Sequence, residues 1–133
     1  VERRARILFA WAIRILAAAF FAFVGYWKAL GPYAALAEHH AWVAGFPAWF
    51  ARGVGWSEVL CSVALILPVA RFRGFCPAAW AATVLVLNQA VAMAVHVARN
   101  ETAAVPQNLV IIALLGALLW LLRGGDRNEE NIL

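Results

Sequence analysis

"ILFAWAIRILAAAFFAFVGYWKAL", residues 7–30, is the stretch on which the fold turns. It is almost wholly apolar, broken only by Arg14 and Lys28, and the breaker pair Gly31-Pro32 closes it. As a helix rising 1.5 Å per residue it reaches about 36 Å, enough to cross roughly 30 Å of hydrocarbon with some tilt. It is longer than the roughly 7–15 residues of a signal-peptide core, and no small-x-small cleavage site follows. A membrane span is therefore expected, not a cleaved leader.

The rest of the chain reads the same way. Its 133 residues are 65% hydrophobic and only 14% charged, whereas soluble domains sit nearer half and a quarter. Three further apolar runs cover about 48–69, 77–98 and 106–122. The second ends at Pro68, the third opens with Pro77 at a favoured first helical position, and the fourth has Gln107 and Asn108 in its opening turn. The expectation is an all-α protein: one domain, 1–133, an integral membrane four-helix bundle with a polar cytoplasmic tail at 123–133 that frays.

Charges set the orientation. An even number of spans puts both termini on one side, with Arg3, Arg4, Arg6, Arg14, Arg71, Arg73, Arg123 and Arg127; Lys28, Arg52 and Arg99 lie on the other. The positive-inside rule then makes both termini cytoplasmic and sends the longest loop, about 31–47, to the outer face. Trp42, Phe46, Trp49 and Phe50 in or beside that loop fit an interfacial belt, part of it lying on the membrane surface, or a contact surface for a partner. The net charge of +4 does not indicate nucleic acid, because the basic residues cluster at the ends of apolar runs and leave no basic face with interleaved aromatics.

Against this background the polar residues inside the spans stand out. Glu58 lies about ten residues into the second run, roughly 15 Å deep. Lys28 and His96 lie near the outer ends of their helices, as do Gln107 and Asn108, with Asn88 and Gln89 near the middle of the third. The cytoplasmic half holds almost nothing polar apart from arginines read as interfacial. Gln89 and His96 are seven apart and share a helical face, with Met93 between them; Glu58 shares a face with Cys61 and Ser62. A carboxylate at bilayer depth is costly unless it is paired or protonated. Glu58 is therefore expected to face Lys28 or His96 across a pocket open to the outer face. Lys28, Glu58, Gln89, His96 and Asn108 are the candidate ligand-binding residues. The plainer reading makes the amides glue between helices and Lys28 an interfacial anchor. Gly53 and Gly55 are expected to let a helix or ligand approach closely.

Other chemistries find no support. Cys61 and Cys76 form no CxxC pair and lie too far apart in depth for a disulfide. No haem, flavin or nucleotide motif is present, and the adjacent His39 and His40 make a weak metal signal, so no metal site is expected.

Phe21-x-x-x-Gly25-x-x-Lys28, Gly55-x-x-Glu58 before a Leu-rich stretch ending at Pro68, His96 in "VAMAVHVARNE" and "VPQNLVIIALLGALL" together resemble the DoxX-like family over about residues 7–122. The resemblance implies a four-helix integral protein of the bacterial cytoplasmic (inner) membrane, with Lys28, Glu58 and His96 as site positions. Relatives are linked to quinone-dependent sulfur oxidation, to redox partnership with superoxide dismutase and to chaperoning of membrane receptors. Three functions follow. The first is a pocket for a quinone-like lipophile in a redox accessory subunit beside a membrane or periplasmic redox protein. The second is an assembly or chaperone partner of another membrane protein, its polar cluster purely structural. The third, a transporter, fits worst, because a continuous polar path would need a homo-oligomer. Whether the chain is an enzyme is left open by the sequence.

Overall fold

The computed structural model describes residues 1–39, 41–68, 71 and 73–130, with the backbone alone for 41 and 124–130. Among the described residues there are five α-helices and no strands: α1 Glu2–Leu30, α2 Tyr33–His39, α3 Ala48–Ile66, α4 Pro77–Ala98 and α5 Val105–Glu130. Short 3₁₀ turns, Ala41–Gly45 and Thr102–Ala104, precede α3 and α5.

Three stretches are long and apolar enough to cross a membrane: Glu2–Leu30, Pro77–Ala98 and Thr102–Arg123. The other long helix, α3, is diluted by Arg52, Ser57, Glu58 and Ser62, and its 19 residues reach roughly 28 Å. Helix bounds depart from the sequence reading mainly at their ends. The first helix begins at Glu2 instead of Ile7, because the charged opening turn continues the same hydrogen-bond ladder. The second stops at Ile66, where Pro68 cannot continue it; Val69, expected at its end, lies outside the described residues. The last helix continues past Leu122 to Glu130, through the segment expected to fray, and 131–133 lie outside the described residues.

α1 packs along α3, α3 on α4 and α4 on α5, and α5 returns more sparingly to α1. The centre is dry: Ala18, Phe21, Cys61, Leu65, Ala81, Ala82, Leu85, Leu115 and Leu118 form one buried cluster. Outward-facing Leu8, Phe9, Leu16, Phe23, Leu60, Trp80, Leu87 and Val110 are exposed. A surface this apolar suits hydrocarbon, not water.

The two ends of the helical fold differ. At the terminal end, where the chain ends and the α3–α4 connection lie, Arg6 ties α1 to α5 by donating to the carbonyls of Leu121 (3.1 Å) and Trp120 (3.3 Å). At the loop end the α1–α3 connection folds into a cap. Leu36, Trp42, Val43 and Ala51 form a second buried cluster there, with Phe46, Phe50 and Val95 packed against it. Tyr33 Oη holds the cap by donating to the Val43 carbonyl at 3.1 Å. Trp42 is thus turned inward, Phe46 and Phe50 are half-buried, and Trp49 is 73% exposed.

Candidate functional site

The site begins with two glycines. A Cβ on Gly25 would lie 2.8 Å from the Gly55 carbonyl oxygen and 2.9 Å from Glu58 Cβ, and one on Gly55 would overlap the Ala29 nitrogen. Without side chains here, α1 and α3 touch backbone to backbone. Gly53, expected to share this role, has open space around it. Three residues beyond each contact glycine, Lys28 and Glu58 come face to face: Nζ donates to Oε1 at 2.7 Å, both side chains buried. Arg52 adds a bond across the same seam, donating to the Lys28 carbonyl at 3.0 Å and supplying a cation to the C-terminal end of α1.

Above the dry core, the four long helices and the cap enclose a cavity of about 500 Å³, within the roughly 300–1,000 Å³ range of small-molecule sites. Lys28, Glu58, Gln89, His96 and Asn108 all line it. The five residues singled out from the sequence therefore meet at one place. Phe46 and Phe50 stack at 5.0 Å between centroids on the apolar side, joined by Trp42, Val24, Val54 and Val95. Between Gln89 and His96 the cavity is lined by Val91, Ala92 and Val95, and Met93 is not among its lining residues. Phe20 and Val91 also line the cavity and are 36% and 56% exposed. Its wall is thus continuous with the apolar outer surface.

Hydrogen-bond accounting separates these groups. Asn88 Nδ2 donates to Ser57 Oγ (3.0 Å), and Ser57 in turn donates to the Val54 carbonyl (2.8 Å), so Asn88 joins α4 to α3 as glue. Ser62 is satisfied within its own helix by the Glu58 carbonyl at 2.7 Å. By contrast, Glu58 Oε2 and Asn108 Nδ2 are buried with no hydrogen-bond partner among the described residues. Buried polar atoms are nearly always bonded, which makes two such atoms in residues lining one cavity informative.

Of the two partners expected for Glu58, Lys28 is the one it meets. His96 turns to Glu101 instead, and the backbone explains why. Asn100 takes a left-handed conformation (φ 59°) after α4. The Glu101 and Asn100 amides then donate to the carbonyls of His96 (2.8 Å) and Val97 (3.1 Å), a doubly bonded helix terminus. Glu101 Oε2 consequently lies 3.0 Å from His96 Nδ1, while Arg99 Nε donates to Oε1 at 2.9 Å. The Arg99 bond, reinforced by His96, holds the Glu101 carboxyl below the usual carboxylate range.

Arg14 was read from the sequence as an interfacial charge and is instead buried. It donates through Nε and Nη2 to the carbonyls of Leu65 and Leu67, at the end of α3. Pro68 stops that helix and leaves its last carbonyls without intrahelical donors, so Arg14 caps them. The Trp11 ring lies 3.9 Å from its guanidinium carbon. Arg14 and Pro68 together carry a signal for this cap in the sequence, though the spacing alone does not reveal it. Cys61 and Cys76 are both free thiols.

A model of the DoxX-like family matches residues 12–118, a segment that contains every candidate site residue. No curated protein and no solved structure matches the chain. The family match, with three helices apolar enough to span a bilayer, makes this an integral membrane protein. The chain belongs to the DoxX-like family.

Proposed function

We propose that the chain is a four-span bundle with both termini in the cytoplasm, and that its cavity faces outward and binds a small quinone-like lipophile. It serves as an accessory subunit beside a membrane or periplasmic redox protein in a bacterial inner membrane. The observation that carries this reading is the pair of unpartnered buried atoms, Glu58 Oε2 and Asn108 Nδ2, in residues lining an aromatic-walled cavity.

Physical chemistry supports the reading in two steps. A Lys–Glu pair at bilayer depth is a poor way to hold helices together, since apolar side chains of similar volume do so at equal or lower cost. Unmet hydrogen-bonding capacity beside the pair then favours a guest with a polar head and an apolar body. Continuity of the wall with the outer surface at Phe20 and Val91 gives such a guest a route from the bilayer. The redox association is supported by the ligand class and by what the family resemblance implies.

Asn108→Leu tests this without disturbing the ion pair. Wild type and variant are purified in mild detergent, and their organic extracts are compared by mass spectrometry. The expected result is a lipophile retained by wild type and lost from an equally stable variant. Matching extracts from the two proteins would overturn the reading.

A further inference from the structure

We infer that the terminal end carries a binding site for an anionic phospholipid, its phosphate between Arg3 of α1 and Arg123 of α5 and an acyl chain laid along the outer face of α5. None of the residues involved lines the cavity, so the inference stands apart from the lipophile reading.

Register fixes the site. Arg6 donates through Nε and Nη2 to the carbonyls of Leu121 and Trp120, which ties α1 to α5 at that level. Arg3 stands three residues outward from Arg6 along α1, and Arg123 three residues outward from Trp120 along α5. Each therefore lies about 4.5 Å beyond the crosslink, and the two cations flank one seam at the same height. Both are exposed, and neither has a hydrogen bond or ion pair among the described residues. Asp126, Glu129 and Glu130 come farther along α5, roughly 4–10 Å past Arg123 and away from the apolar band.

The outer face of α5 completes it. Ala113, Gly116, Trp120 and Arg123 recur at helical spacing on one face, and all four are exposed. Nothing lies within 4 Å of the place a Gly116 Cβ would take, which leaves a shallow apolar path on the bilayer side. Trp120, 70% exposed, stands between that path and the cations, with the Arg6 guanidinium 5.3 Å from its ring centre. Indole rings settle at the depth where headgroup meets chain. The sequence of cation, indole and small apolar path matches the phosphate, glycerol ester and acyl chain of a phospholipid. A free phosphate would leave the path unused, and a zwitterionic lipid would bring its own cation to the arginines. Basic clefts between membrane helices hold anionic headgroups.

The test is native mass spectrometry of the full chain released from detergent micelles. It is titrated separately with dioleoylphosphatidylglycerol, dioleoylphosphatidylcholine and glycerol 1-phosphate. The first phosphatidylglycerol is expected to bind at least about fivefold more tightly than phosphatidylcholine, the gain of one arginine at a membrane surface. Glycerol 1-phosphate is expected not to bind at the same concentrations. The lipid preference should vanish in Arg3→Gln/Arg123→Gln and survive in Arg4→Gln/Arg71→Gln, which removes the same charge from the same end. Equal loss in both variants would show a diffuse basic belt and overturn the site. Equal binding of the two lipids by wild type would overturn the inference outright. Glycerol 1-phosphate binding as tightly as the lipid would overturn the choice of a phospholipid. Gly116→Leu fills the path and should weaken phosphatidylglycerol severalfold; unchanged affinity would overturn the place given to the acyl chain.

Discussion

Both halves of this helical fold bury a cation against α3, and they do so in opposite ways. At the terminal end Arg14 spends its donors on the Leu65 and Leu67 carbonyls, stacks on Trp11 and adjoins a dry core of Leu65, Leu85, Leu115 and Leu118. At the loop end Lys28 meets Glu58, and the accounting is left open: one carboxylate oxygen and one amide nitrogen have no partner among the described residues. Two of the Arg14 donors meet backbone carbonyls left at a helix end, whereas the Lys28–Glu58 pair leaves a polar atom unpartnered among the described residues and lines a cavity.

The contrast breaks most forcefully at the ion pair. Lys28→Met or Glu58→Leu alone leaves an uncompensated buried charge and is expected to cost about 3–5 kcal/mol in denaturant unfolding from micelles. Lys28→Met/Glu58→Met should recover most of that loss while abolishing ligand retention. If each single variant were harmless, the pair would not be the buried ion pair described here.

Arg14→Met comes next. It removes two charge-assisted bonds from the end of α3 and should cost about 2–3 kcal/mol in the same unfolding measurement. Ligand retention should be unchanged, because Arg14 is not among the residues lining the cavity. Loss of binding in a folded Arg14→Met protein would erase the distinction between the halves.

Gly55→Val drives a side chain into the α1 backbone and should destabilise by about 1–3 kcal/mol, whereas Gly53→Ala, in open space, should not destabilise. Melting temperatures of the two variants decide this.

The smallest effect concerns Glu101. Its carboxyl is held below the usual range, first by the Arg99 bond and also by His96. A depressed carboxylate stabilises the fold above its unfolded pKa, near 4.3, and that contribution fades only as pH falls through the lower folded value. Carboxyl carbon NMR should therefore place the Glu101 midpoint below the ordinary glutamate range, and Arg99→Ala should raise it more than His96→Ala does.

The site was more legible in the sequence than the fold's details, and the reason is energetic. Charges and amides inside apolar runs are costly enough to announce themselves, and Lys28, Glu58, Gln89, His96 and Asn108 do line one cavity. Which of Lys28 and His96 meets Glu58 was not legible. It depends on the Gly25–Gly55 approach and on the left-handed turn at Asn100, which are three-dimensional facts. Arg14 looked interfacial because a capping arginine and an anchoring arginine occupy the same place in a hydropathy pattern. The cap was missed for a similar reason: Trp42 and Phe46 have the composition of a membrane belt whether they face lipid or close a cavity.

The most direct test of the central claim is photolabelling of the chain in nanodiscs with 4-hydroxybenzophenone, a crosslinker with a polar head and an apolar body, followed by peptide mass spectrometry. Adducts are expected on the cavity walls, at Phe20, Trp42, Phe46 and Val95, and should disappear in Asn108→Leu. Adducts spread over Leu8, Phe23, Trp80 and Val110, unchanged by that substitution, would show that the probe merely dissolves in lipid and would contradict the account.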